Sequence, residues 1–394
     1  MSYELLPTSD PSQRDNASSP SNDRSDTKST KSIRTHPLVK LIFTRLLIAF
    51  VVMYLVFSGL RSLSRSTSRF AWSSGVCSAC HRNGSLKAGL STLPSHFDLP
   101  SGDKIPSVAL GVWKSKPGEV GAAVKTALKT GYRHIDDAWI YRNEKEVGQA
   151  IRESGVPRQD IWLTSKLWNS FHAPEDIEPA LDESLNNLGT EYLDLYLIHW
   201  PIAFKKGGSG PIAFKKGGSG YDKELTENPY PTWQKLEEMV ERGKVRNIGL
   251  SKIQNLTANP LKIKPAALQV ELSYWNPQPD LVKWAKENNL PVEAYSPLGG
   301  DKQVKETLQL PVVKKIANYL GMTRAQVIIS WHIQRGTIVL PKSVTPSRVV
   351  DNFQVAALPD DLFTELEEAA VSHKPFRTVN PSKDWDLDFD IFDD

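Results

Sequence analysis

The sequence predicts an α/β fold in which a (β/α)8 TIM barrel occupies residues 96–394. Three observations carry this. Short apolar runs alternate with longer segments of helical periodicity. Glycines close several of the helical segments, as C-terminal caps do. Polar, chemically useful side chains stand at the C-terminal ends of the runs, the end on which a barrel builds its site. Eight strand-then-helix units in about 250 residues favour a closed barrel over an open doubly wound sheet.

In chain order the predicted strands are SVALGVW (107–113), HIDDAW (134–139), IWLTSKL (161–167), DLYLIH (194–199), IGLSK (248–252), ALQVEL (267–272), PVEAYS (291–296) and TIVLPKS (337–343). Runs this apolar suit parallel strands covered by helices. Between them EVGAAVKTALKTG, NEKEVGQAIRESG, APEDIEPALDESLNNLG and PTWQKLEEMVERGK read as helices, capped by Gly131, Gly155, Gly189 and Gly243. Ahead of the first strand, HFDLPSGDKIPS reads as a hairpin turning at Ser-Gly-Asp and plugging the barrel's other end.

The front of the chain differs in kind. Residues 1–37 form a Ser/Thr-rich tail, with 13 Ser or Thr among the first 35, and are predicted to be disordered. Residues 38–60, LVKLIFTRLLIAFVVMYLVFSGL, read as a single membrane-spanning helix in which Lys40 and Arg45 snorkel towards headgroups. Residues 61–95 read as a flexible stalk. Residues 1–95 carry a net +7 and the remainder −4, a basic front suited to a membrane surface rather than to nucleic acid. The two cysteines, Cys77 and Cys80, precede His81 in a C-x-x-C-H spacing that also occurs at haem and redox sites. Without a second pair no zinc site is completed, so no metal is expected and the pair reads as incidental to the stalk.

Residues 201–220 contain PIAFKKGGSG twice without a substitution. The segment follows His199 by two residues and precedes the next helix, so it belongs to the loop after the fourth strand and not to a domain linker. Removing 211–220 leaves a continuous barrel sequence, and the repeat reads as an undiverged duplication.

The strand ends bring Asp136, Lys166, His199, Ser251, Gln269, Tyr295 and Lys342 to one face. No G-x-G-x-x-G follows any strand, so a Rossmann nucleotide site is excluded. GYRHIDDAWIYRNEKEVG (131–148) resembles the aldo/keto reductase family closely. TSKLWN (164–169), YLIHWP (196–201), AYSPLG (294–299) and PKSVTPSRVVDNF (341–353) match the same family in the same order. The last is most similar to the fungal NADP-dependent aldehyde and glycerol dehydrogenase branch.

The resemblance implies NADPH-dependent reduction of aldehydes and ketones, by a monomeric barrel acting on small carbonyl substrates. It implies a catalytic tetrad of Asp136, Tyr141, Lys166 and His199, with Trp113, Trp168 and Trp200 beside His199 as the substrate walls. Tyr141 would give the proton, Lys166 would lower its pKa, Asp136 would hold Lys166, and His199 would orient the carbonyl. Tyr295, with Ser296 and Leu298 after it, would lie along the nicotinamide half of NADPH, and Ser251 and Gln269 would bind its carboxamide. Lys342, Ser343, Thr345 and Arg348 would hold the 2′-phosphate, and Asn352 the adenine. Lys252 departs from the family, which commonly has Asn there. A non-catalytic, cofactor-sensing subunit on the same barrel is the alternative. NADPH supply places the barrel on the cytosolic side of a single-pass anchor, against a weak opposing charge bias around residues 38–60. The acidic end, DWDLDFDIFDD, reads as a solvated terminus.

Overall fold

The computed structural model describes residues 92–206, 220–250, 256, 259–384, 387 and 389–392. The tail, the segment 38–60 read as a membrane span, most of the stalk and its Cys77–Cys80 pair lie outside these residues, as do Ser251 and Lys252. Among the described residues no helix is long and apolar enough to cross a membrane.

β1 (His96–Asp98) and β2 (Lys104–Pro106) form an antiparallel hairpin. Then come β3 (Leu110–Gly111), β4 (His134–Asp136), β5 (Trp162–Leu167) and β6 (Leu193–Ile198). A small antiparallel pair, β7 (Ala203–Phe204) and β8 (Tyr221–Asp222), interrupts the series. β9 (Val245–Leu250), β10 (Leu268–Glu271), β11 (Val292–Tyr295) and β12 (Thr337–Leu340) complete it. Among the described residues eight strands pair in parallel in the order β3-β4-β5-β6-β9-β10-β11-β12. Closure comes from Ala109 N donating to Val339 O at 2.9 Å, Val339 N to Ser107 O at 2.9 Å and Gly111 N to Pro341 O at 3.1 Å. The predicted (β/α)8 barrel is therefore the fold, and each expected strand is present.

Helices cover the outside. Those at Glu119–Thr130, Glu144–Ser154 and Pro174–Leu188 end on Gly131, Gly155 and Gly189, all left-handed, while Gly243 follows the helix Tyr230–Glu241 by two residues. Gly148 serves packing instead. A Cβ there would collide with the Leu188 carbonyl, so glycine lets two neighbouring helices approach. The outward strand residues Ile135, Leu163, Tyr196 and Ile248 meet Val120, Val124, Val147, Ile177 and Leu236 of the helices.

Inside, Leu195, Leu197, Ala267, Ile338 and Leu340 meet Leu99 and Ile105 of the hairpin, which plugs the end opposite the strand C-termini. Asp103 of the hairpin accepts from Arg246 at 2.8 Å and from Asn247 at 2.7 Å, tying the plug to β9. One feature departs from the apolar-strand expectation. On β10 and β11, Leu268, Val270, Val292 and Ala294 pack outward in one cluster, so the alternate positions Gln269, Glu271, Glu293 and Tyr295 point inward. The C-terminal half of the barrel interior is thus polar.

The repeat is placed as expected, between two strands of one barrel. Ile202, Ala203 and Phe204 of the first copy are buried, and Lys205 N donates to Gly220 O, the last residue of the second copy, at 3.1 Å. Residues 207–219 lie outside the described residues. Deleting 211–220 restores the same local sequence before Tyr221 and shortens the β7–β8 loop to under half. At ~0.6 kcal/mol per doubling of loop length, the expected stability change is about 1 kcal/mol or less. A denaturation midpoint displaced by much more would show that the second copy packs.

Candidate active site

β5 delivers Lys166 into the barrel at the level where β4 delivers Asp136, and both side chains are buried. Lys166 Nζ donates to Asp136 Oδ1 at 2.8 Å, to Asp136 Oδ2 at 2.9 Å and to the Asp137 carbonyl at 2.8 Å. All three ammonium protons are engaged, which a buried charge requires.

Tyr141 ends the short turn Trp139–Tyr141 after β4 and lies against this pair, with Lys166 Nζ 5.4 Å from its ring centroid. Burial pushes its phenol pKa well up, and the charges of Asp136 and Asp137 push it further. The expected lowering by Lys166 is therefore not the balance found here. Asp136 neutralises the ammonium at contact distance, and the phenol keeps its proton. Burial, then the charge of Lys166 and then His172, hold the His199 imidazole well below its ordinary value, so it is neutral. Its ring lies 5.7 Å from Tyr141, edge to face, 5.3 Å from Trp168 and 6.0 Å from a stacked Trp200.

Trp168 is buried and meets Phe204 of the first repeat copy at 5.9 Å. Trp113 is 38% exposed with Lys114 Nζ 4.3 Å over its ring. Trp200 meets Phe392 at 6.0 Å. The acidic terminus is thus more than a solvated end. Asp390 is exposed, but Ile391 is buried in an aromatic cluster with Trp139, Trp168 and Phe204, because apolar residues alternate with the aspartates.

Of the expected cofactor residues, all but Ser251 and Lys252 are described. Gln269, the second residue of β10, is buried, and Tyr295, the last of β11, is half-buried. Ser296, at φ 52°, turns the chain, and Leu298 packs on the cluster around Tyr274. Lys342 is exposed and donates to the Lys114 carbonyl at 3.3 Å. Ser343 Oγ accepts from Thr345 N at 3.1 Å. Thr345 is the N-cap of the helix Pro346–Phe353, which carries exposed Arg348 and buried Asn352. Two exposed cations, hydroxyls and a helix N-terminus in one turn fit a dianionic phosphate. Lys114 also reaches across to Asp301 at 2.7 Å, joining the loop after β3 to the helix Gly300–Thr307 after β11.

Sequence reading missed the Asp137 carbonyl as a Lys166 partner, the Lys114–Asp301 tie and buried Glu293 beneath the site. Charged residues inside strand runs, the second aspartate of HIDDAW and the glutamate of PVEAYS, were the available signal. His172, also buried behind the site, is held down to about 4, mainly by burial. A depressed histidine gives stability that is complete above pH 6.5 and is lost as pH falls towards 4. His172→Gln cannot titrate. The stability difference between wild type and this variant is therefore expected to shrink by roughly 3 kcal/mol from pH 7 to pH 4. A constant difference in denaturation experiments would show otherwise.

Proton-handling groups on a barrel's C-terminal face, beside a phosphate-type cradle and without a Rossmann turn, point to a barrel oxidoreductase. Comparison with known proteins makes this specific. The chain belongs to the aldo/keto reductase family, whose sequence model matches residues 107–371. It is 44% identical over 300 residues to Aldo-keto reductase family 1 member A1 of Bos taurus, covering 72% of this chain and 90% of that one. An uncharacterized oxidoreductase of Schizosaccharomyces pombe is 43% identical over 287 residues, 70% of this chain and 88% of its own length. Among solved structures, aldose reductase from Schistosoma japonicum matches at a TM-score of 0.65 with 41% identity, covering 72% of this chain and 94% of that one. Aldose reductase from Giardia lamblia matches at 0.66 with 35% identity, covering 73% and 98%.

Proposed function

We propose that the chain is an NADPH-dependent reductase of aldehydes and ketones, acting reversibly on the corresponding alcohols. The observation that carries this is the half-buried Tyr141 set between a saturated Lys166–Asp136 pair and His199, with a phenol pKa held well up by desolvation and by the Asp136 and Asp137 charges. NADPH supplies the hydride to the carbonyl carbon. Tyr141 gives its proton to the carbonyl oxygen, which a raised phenol pKa keeps available. Lys166 then faces the resulting phenolate, and Asp136 keeps the ammonium in place. His199, as a neutral donor, orients the oxygen. Trp113, Trp168 and Trp200 exclude water and favour apolar or aromatic carbonyl compounds. Gln269, Tyr295, Ser296 and Leu298 would hold the nicotinamide half, with Ser251 and Lys252 after β9. Lys342, Ser343, Thr345, Arg348 and Asn352 would hold the adenosine phosphate end.

The test is loss of NADPH absorbance with a panel of aldehydes, run on the full chain. Turnover supports the reductase. NADPH binding without turnover of any aldehyde overturns it in favour of a cofactor-sensing subunit. We read residues 38–60 as the anchor that holds the barrel at a membrane, on the side where NADPH is supplied. Full-length protein that alkaline carbonate strips from membranes into the supernatant would contradict that reading.

A further inference from the structure

Glu293 is fully buried on β11, and nothing in the proton-transfer scheme uses it. It pairs in register with Gln269 of β10. Gln269 Nε2 donates to Asp136 Oδ2 at 2.9 Å and to Glu293 Oε2 at 3.2 Å. Both amide protons are thereby taken by carboxyl oxygens, and an amide has only two. The carbonyl oxygen of Gln269 remains as the group's acceptor. Asp136 anchors one side of this amide and also holds Lys166, so the amide and the tetrad share one carboxylate.

We propose that Glu293 is a positioning residue of this reductase. Together with Asp136 it locks the Gln269 amide with its oxygen presented to the nicotinamide carboxamide, and so ties the cofactor's seat to the Asp136–Lys166 pair. This rests on the reductase reading above. The groups facing Glu293 agree with the role. His134 Nε2 lies 3.7 Å from Glu293 Oε1 and is bonded to Thr164 Oγ1 at 3.3 Å, and burial holds its pKa down to about 4, so it is neutral. Burial, then the Asp136 charge, raises the Glu293 carboxyl to about 8, against smaller opposing effects of Gln269 and Lys166. A neutral carboxyl accepts from Gln269 without placing a second anion beside Lys166. Once ionised, it opposes the phenolate that forms as Tyr141 gives up its proton.

The experiment compares the full-length wild type with Glu293→Leu and Glu293→Gln. It reads the NADPH dissociation constant by tryptophan-to-NADPH energy transfer, and the pH dependence of aldehyde reduction. Glu293→Leu removes the acceptor and is expected to weaken NADPH roughly three- to tenfold, with the aldehyde KM held within about twofold. Glu293→Gln keeps an acceptor and is expected to recover NADPH affinity. Because it cannot ionise, its alkaline fall in kcat should begin about one pH unit or more above that of wild type. Should Glu293→Leu fail to fold, the pH profile of Glu293→Gln decides. The inference is overturned if that profile superimposes on wild type, or if Glu293→Gln binds NADPH as weakly as Glu293→Leu. A wild type that binds NADPH but reduces nothing sinks the reductase reading alone, and the binding comparison still decides the action of Glu293 on Gln269. A wild type that binds no NADPH overturns both.

Discussion

Tyr141→Phe is expected to lower kcat for aldehyde reduction by about two to four orders of magnitude while leaving NADPH affinity within about twofold. The substitution removes one oxygen and keeps the ring that packs against His199, 5.7 Å away. Burial and the Asp136 and Asp137 charges hold the phenol proton on Tyr141 well beyond neutral pH. The same residue that carries the proton therefore determines whether the carbonyl oxygen can be protonated as hydride arrives. Neutral His199 is the remaining donor, and a histidine held well below its ordinary pKa has no spare proton to give. Steady-state kinetics with NADPH titrations check this. A variant that keeps more than about a tenth of wild-type kcat would transfer the acid role elsewhere.

Asp136→Asn is expected to destabilise the fold by about 3–5 kcal/mol and to abolish most turnover. Asp136 is the acceptor for two of the three Lys166 bonds and for Gln269. Asparagine of the same shape presents two donors to neighbours that are themselves donors, and leaves the buried ammonium without its counter-charge. The loss comes from that uncompensated charge, not from the worth of the pair. The double variant Asp136→Asn/Lys166→Met should consequently recover much of the stability without recovering activity. Guanidinium midpoints of the two variants check the argument. A double variant no more stable than Asp136→Asn would place the cost in packing instead.

The strand–helix rhythm, the left-handed glycines after helices and the placing of reactive residues at strand ends are local properties. They were legible in the sequence because period-2 and period-3.6 patterning and cap chemistry act within a few residues. Asp136, Lys166 and His199 were legible as polar residues at the ends of consecutive runs, whereas Tyr141 was suggested only by the resemblance to the aldo/keto reductase family. The place of the segment after β6, between two strands of one barrel, was legible too, since β6 and β9 pair as neighbours.

What the sequence left open are quantities that depend on who faces whom. PVEAYS reads as a largely apolar strand, and only the pleat, with Val292 and Ala294 turned out, shows that Glu293 faces Gln269 and Asp136. The direction of the Tyr141 shift was decided the same way. Proximity of Lys166 alone predicts a lowered phenol, but Asp136 occupies the ammonium at 2.8 Å and burial outweighs what is left. Likewise the acidic terminus reads as solvated until the aromatic wall around Trp200 and Phe204 gives its apolar residues a surface to cover. Charge balance and desolvation are sums over neighbours distant in sequence. A single sequence therefore determines which reactive groups the chain carries, and the tertiary structure determines their protonation and which of them act together.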